Sequence, residues 1–399
     1  MTGQPLVYFD NSATTAMDPR VVEAMAPFQC ERYGNPSSMH RAGREAFQAV
    51  DKARGQVSTG IGAMSNEVVF TGGGTESDNL AIIGFALANR SKGDHIVTTQ
   101  VEHPAVIRAC EYLNTLGFRT TFLPVDHHGL VSLEDLKAEV GKGTLLVSMA
   151  AANNEIGTVQ DILGASEIAH DKGAAFHTDA VQAAGRIPLD VGKGKIDLLS
   201  LAAHKFHGPK GVGALYVRQG TPIRPIVYGG GQEKGLRSST ENVPGIVGMG
   251  TALEIGIAEM EQSVERMGRM RDHLVKGTLE QVDGSFLNGH PIRRLCHNAH
   301  ICLPGYEGEM MVLALDQAGF CVSTGSACSS LGARSSSTLR ALGLSPELAR
   351  CSIRITLSKF NREDEVERFL GVLPWVMGGV KGAMDAMRGH CEGLGSIKR

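Results

Sequence analysis

From about residue 67 to 217, short runs rich in apolar residues alternate with segments whose apolar residues recur at helical spacing. The runs at 67–70, 95–99, 145–150, 175–178, 198–202 and 214–217 have the length and composition of strands. Between them, 77–89, 104–116, 133–139 and 166–172 carry the 3.6-residue period of helices. Because parallel neighbours need a crossover that a helix supplies, this alternation predicts an α/β domain around a largely parallel central sheet. In such folds the chemistry sits where strand ends run into loops.

Around 242–250 the pattern gives way to a long helical stretch, 246–282, with charges on one face and Leu, Ile or Met on the other. Beyond it, strand candidates at 300–303 and 353–357 and helices at 308–318 and 363–384 suit a smaller C-terminal α/β domain. The expected division is a large domain over 14–260 and a small one made of 1–13 and 261–399. No internal repeat or low-complexity segment interrupts this plan.

Composition narrows the functions more than the fold. Hydrophobic residues make 42%, charged residues 20%, and the formal charge is −3, an ordinary globular balance without the basic tract of a nucleic-acid-binding arm. The first ten residues lack a charged head followed by an apolar stretch, and the longest apolar runs, such as 80–88, fall short of the roughly 18 residues of a membrane span. A cytoplasmic chain with neither nucleic acid nor membrane as partner is expected. Eight cysteines without a Cys-x-x-Cys pair suit neither a zinc site nor a disulfide scaffold, so no metal is expected and most should be free thiols. Glycine is the outlier, 50 of 399 residues, against an average of about 7%, and implies many tight turns.

Several segments could carry chemistry, and each also has a plainer reading. Gly72-Gly73-Gly74-Thr75-Glu76-Ser77 follows a strand and opens a helix, where free N–H groups favour an anion; a glycine triplet is also simply a turn. It lacks the Gly-Lys-Ser/Thr ending of a nucleotide P-loop and the spacing of a dinucleotide site. Asp179, at the end of the run His177-Thr178-Asp179, could hold a protonated pyridine nitrogen or cap a following helix. Lys205 follows the apolar run 198–203 and His204. A lysine at the mouth of a buried strand is costly to keep charged and suits a Schiff base, although most loop lysines are surface residues. His103 could stack on a flat ring or serve structure alone. Arg354 offers a fork for a carboxylate or an ion pair. Cys328, in the small polar segment Gly325-Ser326-Ala327-Cys328, is one candidate nucleophile among eight thiols.

Read as a set, these segments resemble the cysteine desulfurase family, the NifS/IscS-like members of the fold type I pyridoxal-phosphate (PLP) enzymes. The resemblance runs from Tyr8-Phe9-Asp10-Asn11-Ser12-Ala13-Thr14-Thr15 to about Leu373. It includes Gly34-Asn35-Pro36-Ser37-Ser38, Gly74-Thr75-Glu76-Ser77-Asp78-Asn79, Glu102-His103-Pro104 and Asn153-Asn154-Glu155-Ile156-Gly157-Thr158. It continues through His177-Thr178-Asp179-Ala180-Val181-Gln182, His204-Lys205, Arg237-Ser238-Ser239-Thr240-Glu241-Asn242 and Gly325-Ser326-Ala327-Cys328.

The resemblance implies a large PLP-binding domain and a small domain carrying the catalytic cysteine. Lys205 would hold the cofactor as an imine, Asp179 would pair with the pyridine nitrogen, and His103 would stack on the ring. Thr75, the Gly74 backbone and His204 would bind the phosphate, and Asn154 and Gln182 would approach the ring and its phenolic oxygen. Thr240 would reach the phosphate of the other subunit of a homodimer. Arg354, with Asn154, would bind the substrate, and Cys328 would attack the sulfur of L-cysteine, leaving alanine and a persulfide on Cys328. An iron-sulfur scaffold protein or another acceptor would then take that sulfur.

Two positions depart from the family pattern. Ala202 stands where many relatives carry a serine that contacts the phosphate, a hydrogen bond of about 1 kcal/mol. Downstream of Cys328, Gly332-Ala333-Arg334-Ser335-Ser336-Ser337 replaces a more acidic, proline-containing pattern, which bears on partner preference. A selenocysteine lyase, or a non-catalytic sulfur carrier or scaffold-binding protein that kept the fold, are the competing expectations.

Overall fold

The structure, a computed structural model, describes residues 6–325 and 336–395, with side chains to residue 386. Its strands, in chain order, are β1 (Val7–Tyr8), β2 (Val68–Thr71), β3 (His95–Thr99), β4 (Arg119–Leu123), β5 (Thr144–Ser148), β6 (Ala175–Asp179), β7 (Leu198–Ala202), β8 (Gly213–Val217), β9 (Phe286–Leu287), β10 (Asn298–Cys302), β11 (Phe320–Cys321) and β12 (Ser352–Thr356). Two compact units emerge: a large one of Thr14–Asn154 and Thr158–Gln262, and a small one of Met1–Ala13, Glu155–Gly157 and Ser263–Arg399.

The large unit is built on a seven-stranded sheet in the order β2-β8-β7-β6-β5-β3-β4. Strands β7, β6, β5, β3 and β4 pair in parallel, and β8 is antiparallel to both β2 and β7. Every position of β3, β5, β7 and β8 is buried, as expected of strands covered on both faces. Full burial of a side chain such as Leu146, Leu199 or Phe176 contributes roughly 1.5–3 kcal/mol. Helix Arg41–Gly60 turns Ala46, Val50, Ala53 and Val57 inward. It packs closely on helix Val243–Ala258, where a Cβ at Gly250 would stand 2.8 Å from Ala53 Cα, so glycine permits that approach.

Parallel pairing puts the carboxyl ends of β3, β5, β6 and β7 at one edge of the sheet. Strand β2, antiparallel to β8, runs the same way and delivers Gly72 to that edge too. Glu102 and His103 follow β3, Asn153 and Asn154 follow β5, Asp179 ends β6, and His204 and Lys205 follow β7.

The small unit pairs β12, β10 and β9 antiparallel and β1 with β11 in parallel. Its core centres on Phe9, Phe320 and Phe369, with ring centroids 5.4–6.0 Å apart in the tilted and edge-on contacts that aromatic quadrupoles favour.

Several elements differ from the sequence pattern, among them the unexpected helix Arg41–Gly60. Strand β4 was not expected; it lies at the sheet edge, and its Arg119, Thr120 and Thr121 are not buried. The stretch expected at 77–89 begins at Gly74 and contains a π turn at Leu80–Gly84. The long helical stretch is two helices, Val243–Ala258 and Met260–Gln281, interrupted at Glu259. Among the described residues no single helix is long and apolar enough to cross a membrane.

Candidate active site

At the carboxyl edge of the large unit's sheet, His103, Asp179 and Lys205 feel one another's charge. His103 caps helix Pro104–Thr115 with Nδ1, which accepts the Ala105 N–H at 3.2 Å. Burial first, and the Lys205 charge in addition, lower its proton affinity against the pull of Asp179. A neutral, half-buried imidazole with one nitrogen engaged presents its ring rather than a charge. Asp179 Oδ1 accepts the Val181 N–H at 2.9 Å, yet the chain continues in turns over 181–186 rather than in a helix. Burial raises the proton affinity of this carboxyl, opposed by His103, Val181 and Lys205; a cation beside it would draw that affinity down. Lys205 ends a single 3₁₀ turn, Ala203–Lys205, directly after β7. Its carbonyl accepts from Arg186 Nη2 at 2.6 Å.

A recess of about 730 Å³ is lined by Thr14, Gly72 to Glu76, Asn79, His204, Lys210, Gly211 and Ile226, and so reaches the residue before Lys205. A Cβ at Gly74 would lie 2.9 Å from Val181 Cγ2 and 3.4 Å from the Ala202 methyl, so the backbone itself forms that wall. Glu76 stiffens the glycine turn, accepting from Gly72 N at 2.8 Å and from Arg237 Nε at 2.8 Å. Thr75 is exposed at the rim. His204 Nδ1 meets Thr14 Oγ1 at 3.1 Å, and burial, with Lys205 and Lys210, lowers its pKa to about 4. These groups fit PLP: N–H groups, a hydroxyl and a neutral imidazole for a phosphate, a buried carboxyl for a pyridine nitrogen, and a lysine for the aldehyde.

Behind Asp179 lies a layer that the sequence alone did not reveal. His177, fully buried, meets Ser148 Oγ at 2.8 Å through Nδ1 and Ser200 Oγ at 3.0 Å through Nε2, joining three adjacent strands. Burial lowers its pKa to about 3, so its 3.7 Å approach to Asp78 is no ion pair. Burial and Asp179 hold Asp78 well above the usual carboxylate range. Glu102, also buried, accepts from Thr99 Oγ1 at 2.7 Å and from Ala150 N at 3.0–3.1 Å. Its pKa is pushed up to about 8, mainly by burial. The signal for this layer was a His, an Asp and a Glu inside otherwise apolar or motif-bearing stretches.

The remaining candidates are distributed differently. Gln182 is buried in the turns after β6, and Asn154 is half-buried after β5. Thr240 is exposed. Arg354 belongs to the small unit, 2% exposed on β12, and donates through Nη2 to Asp10 Oδ1 at 2.7 Å and through Nη1 to the Gly325 carbonyl at 2.5 Å. Cys328 lies outside the described residues. Six other cysteines form no disulfide among the described residues; burial lifts Cys110 to about 12 and Cys302 to about 11, poor values for a thiolate nucleophile.

The model of the aminotransferase class-V family matches residues 7–369. A cysteine desulfurase IscS of Methanosarcina thermophila is 47% identical over 376 residues, covering 94% of this chain and 93% of that protein. A solved NifS-like protein superposes with a TM-score of 0.89 at 40% identity, covering 94% of this chain and 99% of that one. A further solved structure, described as SspA in complex with cysteine, gives a TM-score of 0.80 at 33% identity over 89% of this chain and 100% of that one.

Proposed function

The chain belongs to the cysteine desulfurases of the aminotransferase class-V family, and from that premise we propose how its own residues divide the work of taking sulfur from L-cysteine. It is a PLP-dependent enzyme that converts L-cysteine to L-alanine and a transferable sulfur. Bound PLP supplies an electron sink that makes the substrate's Cα proton acidic and its Cβ–S bond breakable.

The large unit is the cofactor-binding domain in this proposal. Lys205 would hold the cofactor covalently. Asp179 keeps a proton on the ring nitrogen, and neutral His103 stacks on the ring face. The Gly74 backbone, Thr75 and His204 take the phosphate beside the methyl of Ala202, while Asn154 and Gln182 orient the ring. The observation that carries the proposal is that Asp179 ends β6 while His103 and Lys205 follow β3 and β7 at the same edge of one sheet. A lysine, a buried acid and a neutral imidazole are the three groups an aromatic aldehyde with a basic ring nitrogen requires.

In the small unit, Arg354 fixes the substrate carboxylate and Cys328 attacks its Sγ. The sulfur–carbon bond breaks, a sulfur–sulfur bond forms, and the carbon keeps the electron pair and gains a proton. Exposed Thr240 reaches the phosphate of a second subunit, so the working enzyme is a homodimer. It acts in the cytoplasm and passes its persulfide sulfur to an iron-sulfur scaffold or another acceptor. In the test, Cys328→Ala abolishes sulfide release from L-cysteine while keeping the visible band of the lysine-bound cofactor. Full activity of that variant under reductant would overturn the thiol step.

A further inference from the structure

Two residues that line the phosphate recess of the large unit, Lys210 and Gly211, have no part in the cofactor site as proposed. They stand in the turn that joins Ala203–Lys205 to β8. Gly211 has a φ of +77°, a left-handed conformation that favours glycine. The turn is tied back to its own start: Gly208 N donates to the Ala203 carbonyl at 2.9 Å, and Ala203 N to the Val212 carbonyl at 3.1 Å. It also abuts the glycine turn, since a Cβ at Gly213 would lie 2.7 Å from the Gly73 carbonyl carbon. The Lys210 side chain therefore departs from a fixed piece of backbone packed on the candidate phosphate cup.

A phosphate monoester carries about −1.5 to −2 charges at neutral pH, and the other groups around the recess do not meet that charge. Glu76 and Arg237 cancel in an ion pair of 2.8 Å. His204 is uncharged at neutral pH, its pKa lowered to about 4 by burial first and then by Lys205 and Lys210. Thr14, Thr75 and the glycine turn offer only neutral donors. Ala202 turns a methyl toward the Gly74 wall. Among the described residues that line the recess, Lys210 is the one lysine or arginine. Its exposed side chain makes no hydrogen bond or ion pair among the described residues.

We infer that the Lys210 ammonium supplies the counter-charge for the cofactor's phosphate. This rests on the reading of the recess as the phosphate site. Lysine suits the task because it meets a phosphate as a point charge on a flexible stem and needs no fixed fork geometry. Because Lys210 is exposed, the attraction is screened by salt.

The test titrates the full chain, freed of cofactor, with PLP and with 5′-deoxypyridoxal, which keeps the ring and the aldehyde but has a methyl in place of the phosphate arm. The visible band of the lysine-bound aldehyde reports binding of both. Lys210→Ala should weaken PLP on the order of tenfold, the loss of one charge-assisted contact, and leave 5′-deoxypyridoxal within about twofold of wild type. Lys210→Arg, which keeps the charge, should hold PLP within about threefold of wild type. Added salt should weaken PLP binding by the wild type more than by Lys210→Ala. Equal weakening of both aldehydes in Lys210→Ala would mark the residue as merely structural and overturn the inference. A PLP band that requires Lys205 but is indifferent to Lys210 would overturn the inference alone. A wild type that gives no band with either aldehyde would overturn the reading of the site together with it.

Discussion

In the large unit, Asp179, Asp78 and Glu102 are buried near one another around the strand ends, and burial raises the proton affinity of all three. In the small unit, Arg354 and Asp10 form an ion pair at 2.7 Å, and Glu155 engages two hydroxyls. The first arrangement sets which groups carry protons. The second sets where backbone segments lie. A cofactor whose ring must be held in one protonation state needs the former.

The largest effect that would break this comparison belongs to Lys205. Lys205→Ala is expected to abolish both the visible band and turnover of L-cysteine, read by absorption and alanine release. A band that survived would detach the cofactor from this lysine. Next comes Asp179→Asn, which removes the acid proposed to keep a proton on the ring nitrogen. Turnover should fall on the order of 10²- to 10³-fold, the range for loss of one electrostatic partner of a developing charge, and the pH titration of the band should move. Unchanged turnover would show that another group holds the ring proton.

Glu102 sharpens the comparison through pH. Its folded pKa of about 8 exceeds its ordinary value of 4.5, so the folded chain binds more protons than the unfolded one between those limits. The stability contributed by the neutral acid is complete at the low end and is lost as pH rises toward 8. Glu102→Gln should therefore flatten the decline in urea midpoint between about pH 5 and 8, by at least on the order of 1 kcal/mol, about one unit of pKa shift. An unchanged slope would assign the decline elsewhere. The smallest effect is expected at Ala202, whose methyl faces the Gly74 wall. Ala202→Ser should tighten PLP about fivefold, one hydrogen bond of about 1 kcal/mol, in a dialysis or fluorescence titration.

Much of the large unit was legible because β3, β6 and β7 are short runs that end in, or are followed within four residues by, His103, Asp179 and Lys205, a local signal that needs no tertiary knowledge. Strand β4 escaped because an edge strand tolerates Arg119, Thr120 and Thr121. Helix Arg41–Gly60 hides its inward face in small residues such as Ala46 and Ala53. The bonds of His177 to Ser148 and Ser200 cross strands separated by whole helices, and no sequence period reports them. Glu155 meets Ser336 only after the chain has closed on itself. The role of Cys328 came from family resemblance alone, since eight thiols look alike to composition.

The division between a cofactor lysine and a sulfur-accepting cysteine is tested most directly by mass analysis of the cysteine-containing peptides after a single turnover of L-cysteine without reductant. One added sulfur on the Cys328 peptide of the wild type, and none in Lys205→Ala, is the predicted result. Added sulfur on a different cysteine, or on Cys328 irrespective of Lys205, would contradict it.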